Sequence, residues 1–152
     1  MISLVRRILI ATDGSELAMR AVVQGVHLAK ASAATVLIVN AFTPLHSLGA
    51  REDMFAGQPE AIRKAAIALV YSQSQDALDR AAAVARDCGV ACQMKQVDAE
   101  QPYKAILALA KSEGCDLIVM ASHGRSGIAA LVLGSETTKV LTHSDIPVLV
   151  CR

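Results

Sequence analysis

Four short apolar runs, each closed by turn-forming residues, are separated along this chain by segments of helical periodicity, and that alternation confines the fold more tightly than any other feature. Residues 5–12 (VRRILIAT) end in a run that is β-branched at Ile8 and Ile10 and stops at Asp13-Gly14-Ser15. Residues 35–41 (TVLIVNA), 116–121 (DLIVMA) and 147–151 (PVLVC) repeat the pattern. An apolar run of this length bounded by turn residues reads as a buried strand. Residues 90–97 differ, because Val90, Cys92 and Met94 alternate with Ala91, Gln93 and Lys95. That is a half-exposed strand, expected near a sheet edge.

The intervening segments carry helix signals. Ser15 is placed to cap a helix in which Ala21, Val22, Gly25, Val26, Leu28 and Ala29 recur at helical spacing to about Ala33. Glu60–Asp87 is a long alanine-rich helix closed by Gly89. Pro102 suits a first helical position, ahead of Ile106, Leu107, Leu109 and Ala110. A last helix is expected over Ser135–His143. The order is therefore β-α-β-α-β-α-β-α-β, which implies a parallel sheet covered on both faces and, with right-handed crossovers, a doubly wound three-layer α/β/α fold. One domain over residues 1–152 is expected. Residues 42–59 contain two Pro, two Gly and no clear period, a length of loop associated with lids and disordered segments.

Composition narrows the function classes. Hydrophobic residues make up 53% of the chain, with 15 Lys+Arg against 14 Asp+Glu, the opposite of a disordered composition. The longest apolar run, residues 65–71, is seven residues against the ~20 a bilayer requires. The N-terminal apolar stretch is too short for a signal peptide, so the cytoplasm is the expected location, with no membrane partner. A net charge of +1 and four aromatic residues argue against nucleic acid as a partner. Cys88, Cys92, Cys115 and Cys151 form no C-x-x-C pair and no zinc spacing, and are expected to be reduced thiols with no metal site.

Neither G-x-x-x-x-G-K-[ST] nor G-x-G-x-x-G after the first strand is present. Instead, Ala121-Ser-His-Gly124-Arg-Ser-Gly127 follows the fourth strand, and Gly134-Ser135 opens a helix. Small residues let backbone amides approach a polyphosphate, and a helix start adds free N–H groups and a positive dipole end. An ordinary turn with Ser135 as a plain cap fits the same residues. Asp13 is open in the same way, since Asp-Gly-Ser is good turn chemistry by itself. Ser122 and His123 invite a catalytic reading, but adjacent loop side chains rarely face each other and no third residue orients the base, so no catalytic residue is assigned.

Taken together, ILIATDGSE, ASHGRSGIAALVLGS and the ending HSDIPVLVCR resemble the universal stress protein family across essentially the whole chain. The nucleotide-binding branch of that family carries G-x2-G-x9-G-[ST]. Gly124, Gly134 and Ser135 match it with the required spacing, whereas Ala121 stands where the pattern begins with Gly. The resemblance implies an open five-stranded parallel sheet of order 3-2-1-4-5, with a ligand crevice beyond the C-terminal ends of strands 1 and 4. It also implies roles: Asp13 for the ribose, Ala41 with neighbouring Ala11 and Asn40 for the adenine, and Gly124, Arg125, Gly127, Gly134 and Ser135 for the phosphates, with Thr12, Ala121 and Glu136 completing the expected site. Glu136 there either points away, repels the phosphates or shares a magnesium ion. The methyl of Ala121 either crowds the ligand or is harmless in a backbone of negative φ.

The implied function is an ATP-binding stress-response regulator, with ATP held alone or with Mg, that works as a homodimer through its last strand, Pro147, Val148, Leu149, Val150 and Cys151. Two alternatives stand beside it: a dimeric protein-interaction module of the same fold that needs no nucleotide, and a slow ATP-hydrolysing enzyme with Asp13 as base.

Overall fold

Ile8, Leu9 and Ile10 are all completely buried, because the strand that carries them is covered from both sides. The computed structural model describes residues 5–43, 57–124 and 133–152. Most of the loop expected over residues 42–59, and the candidate phosphate residues Arg125 and Gly127, lie outside the described residues. The elements in chain order are β1 (Arg7–Ala11), α1 (Glu16–Ser32), β2 (Thr35–Phe42), α2 (Glu60–Asp87), β3 (Cys92–Asp98), α3 (Pro102–Ser112), β4 (Leu117–Ala121), α4 (Ser135–His143) and β5 (Val148–Cys151).

The strands form one parallel sheet of order β3-β2-β1-β4-β5, as the resemblance implied. Ile10 sits at its centre, in register with Ile38 on one side and Val119 on the other. Period-two alternation sends successive side chains to opposite faces. Ile8, Ile10, Val36, Ile38 and Val119 pack under α1 and α2 with Val22, Val26 and Leu78. Leu9, Leu37, Val39, Ile118 and Met120 pack under α3 and α4 with Ile106 and Val140. α1 lies unusually close to the sheet at Gly25, where an added Cβ would sit 2.6 Å from Ile10 Cδ1.

Element boundaries differ from expectation for local chemical reasons. β3 begins at Cys92 because the Val90 N–H is spent closing α2, donating to Ala85 O at 2.9 Å beside the left-handed Gly89. β4 begins after Asp116, whose Oδ2 accepts from the Arg6 and Arg7 amides at 2.7 and 2.9 Å. Those N–H groups, the Arg6 amide foremost, hold the Asp116 carboxyl below its ordinary pKa. β5 begins after Pro147, which has no N–H to offer. Among the described residues no helix is long and apolar enough to cross a membrane.

β1 leads through α1 to β2 on one side, and β4 leads through α4 to β5 on the other. Connections that diverge between adjacent parallel strands leave a crevice beyond their C-terminal ends.

Candidate functional site

The chain leaves β1 through a turn held by its own side chains. The Ser15 amide donates to Asp13 Oδ1 at 2.9 Å, the Gly14 amide donates to Thr12 Oγ1 at 3.1 Å, and Ser15 Oγ accepts from the Ala18 amide at 3.2 Å to cap α1. The turn reading of Asp-Gly-Ser is therefore correct. It does not compete with a ligand role, since the same turn fixes Asp13 at the mouth of the crevice.

A cleft of about 550 Å³ opens there, within the ~300–1,000 Å³ usual for small-molecule sites. Ala11, Thr12 and Asp13 line it from the end of β1, and Ala41 from the end of β2. Ala121 and Gly124 contribute from the end of β4, and Gly134, Ser135 and Glu136 from the start of α4. Segments far apart in sequence thus meet around one cavity.

The start of α4 is tied to the end of β4 by two hydrogen bonds. The Gly134 amide donates to Ser122 O at 2.7 Å, and the buried Thr137 Oγ1 donates to Ala121 O at 2.9 Å. Glycine at 134 eases that approach, because an added Cβ would stand a tight 3.1 Å from His123 Cα and 3.3 Å from Ser122 O. At Gly124 an added Cβ would overlap Asp13 Oδ2. The glycine there makes room for the carboxylate.

The backbone at Ala121 is the negative-φ one of the two alternatives. Ala33 is the one described non-glycine residue with positive φ, so Ala121 sits in ordinary strand geometry. It is buried with Ala18, Ala21 and Val119 in the layer under α1 and also borders the cleft.

Glu136 reaches from α4 to α3. Its Oε2 accepts from the Tyr103 amide at 2.8 Å, and its Oε1 lies 3.1 Å from Lys139 Nζ. Tyr103 is in the first turn of α3, whose preceding residue, Gln101, supplies no side-chain cap. A carboxylate from α4 therefore satisfies an orphan N–H of α3.

Two placements differ from expectation. Asn40 does not line the cleft. Its side chain is buried, donating from Nδ2 to Thr12 O at 2.6 Å and accepting at Oδ1 from Ser74 Oγ at 2.8 Å, so it braces the Thr12–Asp13 turn against α2. Ser122 and His123 do face each other, with Oγ and Nδ1 3.2 Å apart. The Ser122 side chain is nevertheless buried and outside the cleft lining, while His123 borders the cleft.

Sequence reasoning missed Pro102, Ile106, Val39 and Met120, which form an apolar wall of the cleft. The inward face of a fully buried strand cannot be read from a continuous apolar run, which hid Val39 and Met120. The N1 proline of α3 was a usable signal, but only once the sheet order placed that helix.

The geometry defines a class: a doubly wound α/β domain with a small-molecule cleft at its topological switch point. Residues 5–152 match the universal stress protein family, and the chain belongs to it. A universal stress protein from Thermus aquaticus is 31% identical over 97% of this chain and 98% of its own length. The structure of protein MJ0577 of Methanocaldococcus jannaschii superposes with a TM-score of 0.76 at 25% identity, covering 97% of this chain and 96% of that one. A universal stress protein solved in complex with cAMP superposes with a TM-score of 0.65 at 26% identity, covering 96% and 95%.

Proposed function

We propose that this chain is an adenine-nucleotide-binding stress-response regulator, acting as a homodimer, with ATP as its ligand. The observation that carries this reading is the convergence of Asp13, Gly124, Gly134 and Ser135 on one cleft at the β1/β4 switch point. The apolar wall of Pro102, Ile106, Val39 and Met120 suits the faces of a purine, and Asp13 is a hydrogen-bond acceptor for ribose hydroxyls. The first amides of α4 suit a phosphate. The cAMP-bound relative supports an adenine nucleotide as the ligand class. Magnesium fits the donor set, since this ion is commonly held by one or two carboxylates together with substrate phosphates, and Asp13 and Glu136 both border the cleft. The chain's part is binding and a nucleotide-dependent choice of partner, with no residue assigned to hydrolysis.

Calorimetric titration with ATP and magnesium tests the reading. The expected dissociation constant is micromolar to sub-millimolar, about −5 to −8 kcal/mol. Absence of heat and of any thermal shift at millimolar ATP would transfer the function to the second reading, a dimeric interaction module that needs no nucleotide. The acidic lining contributed by Asp13 and Glu136 is the observation that favours that alternative.

A further inference from the structure

Among the described residues that line the cleft, the charged side chains are Asp13 and Glu136, both acidic; Arg125, which the resemblance assigns to the phosphates, lies outside the described residues. Two helix starts also border the cavity, that of α4 through Gly134 and Ser135 and that of α3 through Pro102. Each would attract an anion, but the start of α3 already has one, because Glu136 Oε2 accepts from the Tyr103 amide at 2.8 Å. The cation beside Glu136 is Lys139, 3.1 Å from Oε1; its side chain is about half exposed and screened by water, and it stands outside the cleft lining. The first turn of α4, which offers its amides to a phosphate in this reading, thus carries a carboxylate of its own.

Resting on the reading of this cleft as an adenine-nucleotide site, we propose that Glu136 sets the charge selectivity of the cleft: it disfavours a bare polyphosphate, so that the site takes ATP as its magnesium complex and discriminates against the metal-free form. Like charges at short range in a partly enclosed site repel strongly, and a divalent cation bound to the phosphates removes much of that repulsion. Adenosine, which carries no phosphate, is indifferent to this term.

The test compares the wild type, Glu136→Gln and Glu136→Ala by calorimetry with adenosine, ATP in excess chelator, and ATP with magnesium. Gln keeps an oxygen for the Tyr103 amide and removes the charge, whereas Ala removes both; thermal unfolding verifies that each variant is folded. In the wild type, magnesium should raise ATP affinity about tenfold or more. Glu136→Gln should bind metal-free ATP about tenfold more tightly, close to 1.4 kcal/mol, with adenosine affinity changed by less than about twofold. If all three proteins bind adenosine and Glu136→Gln leaves the affinity for metal-free ATP unchanged, charge selectivity by Glu136 is overturned while the nucleotide reading stands. An effect confined to Glu136→Ala would overturn it too, assigning Glu136 to holding α3. If none of the three binds adenosine or ATP, the nucleotide reading falls and this inference falls with it.

Discussion

Gly124 and Gly134 look alike in the sequence motif, yet the structure gives them different work, and substitutions should separate the two. At Gly134 the neighbours of an added Cβ are the backbone of Ser122 and His123, which cannot give way without moving the end of β4. Gly134→Val should therefore cost about 1–3 kcal/mol of stability from overpacking, together with more than about tenfold in nucleotide affinity. At Gly124 the neighbour is the Asp13 carboxylate, a side chain that can shift at the cost of straining its hydrogen bond from the Ser15 amide. Gly124→Ala should lower the unfolding free energy by no more than about 1 kcal/mol but weaken adenosine binding about tenfold, because Asp13 loses its place. Chemical denaturation and calorimetry on the same samples distinguish these outcomes; equal stability losses at both positions would contradict the assignment. Ser135→Ala should cost less than either, on the order of 1 kcal/mol in binding. The residue-level site was legible in the sequence where a motif marks backbone approach, as at Gly124, Gly134 and Ser135. It was not legible where a side chain serves a distant amide: nothing local to Glu136 announces that Tyr103 will be its partner, or local to Asn40 that Ser74 and Thr12 will be.

α2 shows both the strength and the limit of reading elements from periodicity. Its bounds follow from a run of good helix formers and from Gly89, and they agree with expectation. Periodicity could not say which half of the helix holds its fully buried residues. Its buried residues, Ser74, Ala77, Leu78, Ala81, Ala82 and Ala85, all fall in the second half, where it covers β2 and β3. Ile62 and Leu69 in the first half are exposed. Alanine spaced evenly through a helix marks no face, so only the sheet beneath decides which turns are covered. The two halves should respond differently to the same truncation. Leu78→Ala, at a side chain 1% exposed, should cost about 2–5 kcal/mol, whereas Leu69→Ala, at 58% exposed, should cost about 0.5 kcal/mol or less. Urea titration of the two variants is the check, and a large loss at Leu69 would mean that another surface covers the first half of α2. β3 presents a related case: its alternation correctly announced an edge, but the exact start depended on the closing hydrogen bond of α2, which no strand propensity encodes.

At the scale of the whole molecule, the sheet order leaves two edges, and they are unequal. β3 carries Gln93, Lys95 and Gln96, with Lys95 Nζ 2.8 Å from Glu113 Oε1, so charged and amide side chains guard that side. β5 carries Val148, Leu149 and Val150 in succession, and Leu149 is 39% exposed. Among the described residues it pairs with β4 alone, and the N–H and C=O groups on its other side point away from the sheet. An apolar edge of this kind invites another strand, and a two-fold axis lets β5 of each copy pair antiparallel, which closes the assembly at two and avoids an open fibre. Aligned in this way, the two sheets would form a continuous ten-stranded structure, and the exposed Leu149 side chains would be buried near the axis. We expect sedimentation or light scattering at micromolar concentration to report about twice the chain mass of 16.0 kDa. Leu149→Lys should shift the population toward monomer, because burying two ammonium groups against each other at a two-fold axis costs far more than two leucines gain. A substitution on the guarded edge, Gln93→Lys, should leave the mass unchanged. A monomeric wild type at that concentration would refute pairing through β5, and a dimer that Leu149→Lys fails to weaken would place the contact on another surface.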